Sequence, residues 1–213
     1  MFIDQTYPFK AMPFSLFNCL DDCFGKTNLL IHYNQIYIPK IDKLNCLLSK
    51  YPFLQAYSLD EIIFNSHNIK IKEADTLKEL SGCVYNHHCY FSSLCDKTYD
   101  IRNFKINSSI IKYFGSTNNF FDLFKQAALN LVGSGYVYLV CNEKGELSIF
   151  TTTNYDTPIP YNLYPLICLD MWEHSYFLKF NVNKEKYIDN FLCMLNIPYI
   201  DSEYALCLKC IKS

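Results

Sequence analysis

The chain lacks a block of basic residues: its 19 lysines and arginines are spread along the sequence against 21 acidic residues, for a formal charge of −2. Nothing here forms an electrostatic footprint for nucleic acid, so no nucleic-acid partner is expected. It also lacks any hydrophobic run approaching the roughly 18 residues that a membrane span requires, so no membrane partner is expected either. The opening Met1-Phe2-Ile3-Asp4-Gln5-Thr6 lacks the basic region of a secretory signal, and Asp4 argues against an acidic-poor transit peptide. A cytoplasmic location is the resulting expectation, with an organelle left open. Internal repeats and low-complexity stretches are missing too, which leaves a globular chain with a small partner.

What is present is a large apolar content, half of 213 residues, enough for one large domain or two small ones around a sizeable core. There are eleven cysteines. An odd count in a chain of ordinary globular length fits a reducing compartment better than a disulfide framework. Most of these thiols are read as small core residues. Cys207-Leu208-Lys209-Cys210 has the spacing of a redox or metal pair, yet it stands alone on a terminal helix and is read as packing.

Pro8, Pro13 and clustered aromatics make the first 25 or so residues an extended arm lying on a core. Asn28 to Ser49 has near-helical apolar spacing interrupted by Pro39, which predicts a long kinked helix with Ile38 biased away from helical geometry. Ser58-Leu59-Asp60-Glu61 reads as a capped start to a short helix ending near Phe64. A second long helix runs from Thr76 through Leu94, so the two form a helical hairpin. Polar residues from Ser93 to Asn103 mark a boundary. Helices follow near 103–113 and 117–132, then strands at 136–141, 147–153 and 165–170, then helices near 184–195 and 202–212. The prediction is an α/β (α+β) fold: an N-terminal arm and helical hairpin domain over 1–97, and a C-terminal α/β domain with a three-stranded antiparallel sheet over 98–213.

One stretch organises the rest. The apolar strand Leu166-Ile167-Cys168-Leu169 runs into Asp170-Met171-Trp172-Glu173-His174, and a helix begins there. A carboxylate ending a strand and an imidazole opening the next element pair an anionic oxygen with a borderline nitrogen, a combination that suits iron, manganese or zinc. Two ligands do not hold such an ion, so others must come from elsewhere. Taken singly, a histidine on a helix is usually packed or solvated, and His67 in a polar loop is read that way.

Asp170-Met171-Trp172-Glu173-His174-Ser175-Tyr176 resembles the D-x-W-E-H-x-Y signature of the iron and manganese superoxide dismutases. Tyr7-Pro8-Phe9-Lys10 leading to Ile31-His32-Tyr33, the run from Val84 to Phe91, Phe114-Gly115-Ser116, and the run from Gly133 to Val140 resemble further family segments in the same order. The resemblance implies a mononuclear site with His32, His87, Asp170 and His174 as metal ligands and one Mn or Fe ion per subunit. It implies conversion of superoxide to dioxygen and hydrogen peroxide, an antioxidant activity. It also implies a homodimer in which Glu173 reaches the partner's His174, and it makes Trp172 part of the apolar wall. His88, directly after the implied ligand, is read as a neighbour.

Departures lie around the ligands. The family's glutamine that bonds the metal-bound solvent is matched neither on the second helix, where Cys83 stands, nor on the hairpin, where Tyr155 stands in Asn154-Tyr155-Asp156. Tyr155 is the substitute with a hydroxyl that both donates and accepts. Lys40 occupies the place of the family's first-helix tyrosine, either attracting an anion or reaching solvent. Ile36 and Phe177 replace a histidine and its tyrosine partner, so both ends of one hydrogen bond have become apolar together. Tyr136 and Tyr138 stand where tryptophans are usual, which implies a smaller, more polar pocket. Tyr90 leans towards the iron type, and Asn154-Tyr155-Asp156 towards the manganese type. Tyr155, Lys40, Glu173 and Trp172 are thus the expected catalytic residues. The alternative is a divergent metal-binding homologue with weak or no activity, acting as a structural or interaction dimer.

Overall fold

The computed structural model describes residues 6–12 and 17–212. Residues 6–12 form the expected arm. Phe9 is buried, and its backbone is clasped by Asn45, which accepts from Phe9 N–H and donates to Phe9 O, both at 2.8 Å. Pro13 lies outside the described residues. Beyond it the extended reading fails, because Phe17–Phe24 is a helix, α1. Leu20 and Phe24, one turn apart, are both fully buried and give it a core-facing stripe.

Three helical pieces follow: α2 (Lys26–Leu30), a π-helical turn over Ile31–Tyr37, and α3 (Ile38–Leu48). The expected bias of Ile38 away from helical geometry is corrected here. Ile38 is helical, at φ −56° and ψ −49°, and its N–H bonds back five residues to Tyr33 O. A proline ring in an α-helix strikes the carbonyl four residues earlier. The extra residue of a π turn widens the spiral just upstream, so Pro39 opens α3 instead of breaking it.

The short helix α4 (Leu59–Phe64) starts as the sequence indicates, with a reciprocal capping box between Ser58 and Glu61. The long helix α5 (Ala74–Ser92) packs against α3, and from Leu80 to His87 every residue on it is buried. A helix enclosed all round needs somewhere for its neighbours to approach, and Gly82 supplies it. A Cβ there would lie 2.1 Å from Tyr155 O, so the loop carrying Tyr155 rests directly on the helix backbone.

After α6 (Ile106–Phe114) and α7 (Thr117–Asn130) come β1 (Gly135–Cys141), β2 (Leu147–Thr153) and β3 (Tyr164–Asp170). They form one antiparallel sheet in the order β2-β1-β3. β1 is buried along its whole length, and its register sets Tyr136 opposite Asp170. The chain ends in α8 (Glu173–Phe180), α9 (Lys184–Cys193) and α10 (Ile197–Lys212). α10 begins earlier than periodicity indicates because Pro198 falls in its first turn, where no amide donor is needed. Past the end of α5, Cys95 N–H donates to Met194 O at 3.0 Å and Asn196 N–H to Ser93 O at 2.8 Å. These bonds tie the helix that carries His87 to the α9–α10 connection. Among the described residues no helix is long and apolar enough to cross a membrane.

Candidate metal centre

β3 stops at Asp170 because that side chain turns the backbone. Its Oδ1 accepts from Trp172 N–H at 2.8 Å, a local loop closure typical of Asp, and α8 starts one residue later. Tyr187 on α9 donates to the Asp170 carbonyl at 2.7 Å and holds the strand end in place. The turn leaves Asp170 Oδ2 pointing inward, and the first turn of α8 brings His174 round to meet it.

Three imidazoles converge on that oxygen. Nε2 of His32, from the π turn, lies 3.2 Å away; Nε2 of His174 lies at 3.3 Å and Nε2 of His87, from α5, at 3.9 Å. The four ligand atoms are all within 4.8 Å of one another. His32, His87 and Asp170 are fully buried and the His174 side chain is 18% exposed, so the cluster has one side towards solvent. The sequence-implied ligand set is thus brought to one point. His88 turns away from it, with Nδ1 3.5 Å from the Tyr37 hydroxyl.

The donor set fits a metal ion. Asp170 Oδ2 and Nε2 of His32, His87 and His174 are all buried and without an aligned hydrogen bond, although they crowd together. Four polar atoms left unsatisfied at one place would be costly unless something else bonds them. His87 Nδ1–H donates to Cys83 O at 2.7 Å, which fixes the tautomer and leaves the Nε2 lone pair facing the cluster. Burial lowers the His87 pKa to about 3 and lowers that of His32, keeping both rings neutral and able to ligate. Burial alone would raise the Asp170 pKa, but His174 and His32 beside it outweigh that and hold the carboxyl below its ordinary range.

Aromatic rings enclose these ligands. Tyr37 stacks on His87 with centroids 5.7 Å apart, Tyr90 stacks on His32 at 5.0 Å, and Trp172 stacks on His174 at 5.8 Å. Tyr37 was not legible as part of the site. It lies five positions after His32 at the end of the same π-helical segment, and nothing in the local sequence sets it apart from a packed core aromatic.

Comparison with known proteins places this geometry in context. Residues 102–203 match the family model for iron/manganese superoxide dismutases, C-terminal domain. Over 198 residues the chain is 32% identical to a manganese superoxide dismutase of Buchnera aphidicola, covering 90% of this chain and 95% of that protein. The chain belongs to the iron/manganese superoxide dismutase family. It is also 32% identical to chloroplastic iron superoxide dismutase 3 of Arabidopsis thaliana, covering 89% of this chain and 72% of that one. A manganese superoxide dismutase of Listeria monocytogenes is 29% identical over 90% of this chain and 94% of its own length. Relatives named for each metal therefore match about equally well.

Against this superoxide dismutase framework, the divergent residues have definite places. Tyr155 lies face to face with Trp172, centroids 4.5 Å apart, and its carbonyl rests on Gly82, the residue before Cys83. Burial pushes the Tyr155 hydroxyl and the Cys83 thiol up, Cys83 to about 12. Cys83 Sγ in turn lies 3.5 Å from His87 Nδ1. The two positions where the family carries a glutamine are therefore neighbours here, brought together by the approach of the Tyr155 loop to α5 at Gly82. Lys40 Nζ sits 5.1 Å above the Tyr155 ring and 3.4 Å from Glu79 Oε1. Trp172 Nε1–H donates to Asn154 O at 3.3 Å, binding the wall residue to the Tyr155 loop.

The Tyr138 hydroxyl donates to Asn86 Oδ1 at 2.9 Å. Tyr136 borders His87, edge to face at 6.5 Å. Glu173 is exposed at the start of α8, and Phe177, a turn along, is 48% exposed.

Proposed function

We propose that this protein is a superoxide dismutase holding one manganese or iron ion through His32, His87, Asp170 and His174. The observation that carries the reading is the convergence of four buried, unsatisfied ligand atoms, three imidazole nitrogens and one carboxylate oxygen. When bound, the ion supplies one-electron redox chemistry, accepting an electron from one superoxide and returning it to another. One carboxylate among neutral imidazoles leaves such a site net positive and open to a small anion. The chain's own residues do the rest. Asp170 supplies the charge that retains the ion, and Cys83 O orients His87.

Tyr155 is the group through which a proton is supplied at the site, its hydroxyl replacing the family's glutamine. Trp172 stacks on both Tyr155 and His174 and excludes water from that side. Lys40, set above Tyr155, places a positive charge that draws the anion towards the exposed side of His174. A homodimer completes the reading: Glu173 and Phe177 sit exposed beside the His174 opening, where Glu173 of one copy can bond the partner's His174. Which metal is native is left between manganese and iron, and elemental analysis of the isolated protein decides it.

The test is superoxide decay on metal-loaded protein, with decay well above that of the free ion as the expected result. Background decay at full metal occupancy would instead support a metal-binding homologue without activity. That second reading is favoured by one observation, the absence of both the family's glutamine and its first-helix tyrosine from the residues around the cluster.

The role given to Tyr155 makes a separate prediction. Tyr155→Phe keeps the ring stack on Trp172 and removes only the hydroxyl, so metal content stays stoichiometric while turnover falls about 10²-fold or more, the low end for a lost proton donor. Turnover equal to that of the unsubstituted protein would remove the hydroxyl from the mechanism.

A further inference from the structure

His32 and His174 reach the centre from distant parts of the chain, yet their rings lie only 4.7 Å apart, centroid to centroid. One side chain outside the ligand set joins the two segments that carry them. Asn28 lies on α2, four residues before His32, and α2 runs into the π turn without leaving helical geometry, since Leu30 and Ile31 both have right-handed helical dihedrals. Its Nδ2 donates at 2.7 Å to the carbonyl of Ser175, the residue after His174 on α8. Both residues are buried.

The chemistry of this bond leaves half the amide unused. Ser175 O can only accept, so Asn28 has to present its nitrogen. Oδ1 is left buried and, among the described residues, without a hydrogen-bond partner. A half-satisfied amide in a core costs stability relative to an apolar residue of the same shape, so stability does not account for an asparagine here. A buried polar residue that costs stability while fixing how two helices meet is a register device.

We propose that Asn28 is a positioning residue for the metal centre: it locks α8 to the helix of His32 and so sets the spacing of the His32 and His174 nitrogens. The proposal rests on the reading of these side chains as metal ligands. Contact distances give its size. The bond holds nitrogen and oxygen 2.7 Å apart, whereas a carbon approaches a carbonyl oxygen no closer than about 3.3 Å. Leucine has the branching and heavy-atom count of asparagine, so at position 28 it fills the same space and pushes the start of α8 outward by about half an ångström. Working sites hold their groups to within about that tolerance.

The same seam supplies a control. Asn190 on α9 makes the same kind of bond, Nδ2 to Cys23 O at 2.7 Å, but it grips α1. Gly25, at φ +78°, separates α1 from α2, so α1 does not form one rod with the helix of His32. Losing the Asn190 bond loosens the seam without moving a ligand.

The experiment uses the full chain and measures the apparent Kd for manganese(II) by competition with a chelator, together with the EPR spectrum of the manganese(II)-loaded protein, well below the Tm of each variant. Asn28→Leu should raise the Kd about 10-fold, the low end for an outer contact that orients a ligand, and change the spectrum. Asn190→Leu should lower Tm and leave Kd and spectrum as they are in the unsubstituted protein. Asn28→Ala removes the bond without adding bulk and should raise the Kd by a smaller factor; it decides the matter if leucine prevents folding. An unchanged Kd and spectrum in the Asn28 variants overturns the proposal, as does an equal rise in Asn190→Leu, which would make general loosening of the seam responsible. Failure of the unsubstituted protein to bind manganese(II) at all would overturn the ligand set itself, and this proposal with it.

Discussion

Asp170→Ala is expected to yield a folded protein that retains no manganese or iron after dialysis and shows no dismutase activity. Asp170 is the only anionic member of the ligand set, and its Oδ2 is the point on which the three imidazole nitrogens converge. Its removal leaves neutral donors only, and the loss of affinity must exceed the roughly 10–100-fold that follows from deleting an outer hydrogen bond to a ligand. Loss of the bond that Oδ1 accepts from Trp172 N–H should lower Tm, but β3 and α8 on either side of the turn keep their own buried side chains to hold them in place. Asp170→Asn separates charge from shape: the amide fills the same space and offers one neutral oxygen, so metal retention should fall for want of charge. Elemental analysis checks both variants. Stoichiometric metal in Asp170→Ala would show that the ion, if any, is held elsewhere.

Gly82→Ala carries the second large effect, and two opposing magnitudes decide its sign. Alanine in place of glycine inside a helix contributes about 1 kcal/mol of stability through propensity. A Cβ 2.1 Å from the Tyr155 carbonyl oxygen cannot be accommodated without displacing backbone, and overpacking of that kind costs about 1–3 kcal/mol or more. The clash wins. The expected outcome is a Tm lowered by roughly 2–4 °C per kcal/mol of net loss. Because the atom that must move belongs to Tyr155, activity should fall further than stability does. A Tm at or above that of the unsubstituted protein would show that the loop does not rest on the helix as described.

Much of this was readable in the chain itself. Strand-type runs bounded by turn residues gave β1, β2 and β3 to within a residue, β1 and β3 because they are filled with apolar side chains. Asp170 and His174 were visible because the strand end, the turn and the helix start lie within a few consecutive residues. Membership of His32 and His87 came from family resemblance only, as no local pattern distinguishes them from packed histidines. The helix α1 was missed because Pro8, Pro13 and the clustered aromatics that accompany them read as extended chain through to residue 25. The neighbouring placement of Cys83 and Tyr155 joins residues far apart in sequence, and only the tertiary approach permitted by Gly82 reveals it. Tyr37, at the end of the π-helical segment, was hidden because nothing in the sequence distinguishes it from a packed core aromatic.

That segment has a further consequence, for alignment and for engineering. A π turn is an α-helix with one residue inserted, and each α-helical residue advances the spiral by about 100°. Deleting a single residue between Tyr33 and Tyr37 would let the whole path wind as a regular α-helix, with His32 still facing as it does relative to the core stripe of Ile41, Leu44 and Leu48. Deleting one from α3 instead, where no spare residue is stored, would swing the histidine by about 100° and cost it its compass bearing.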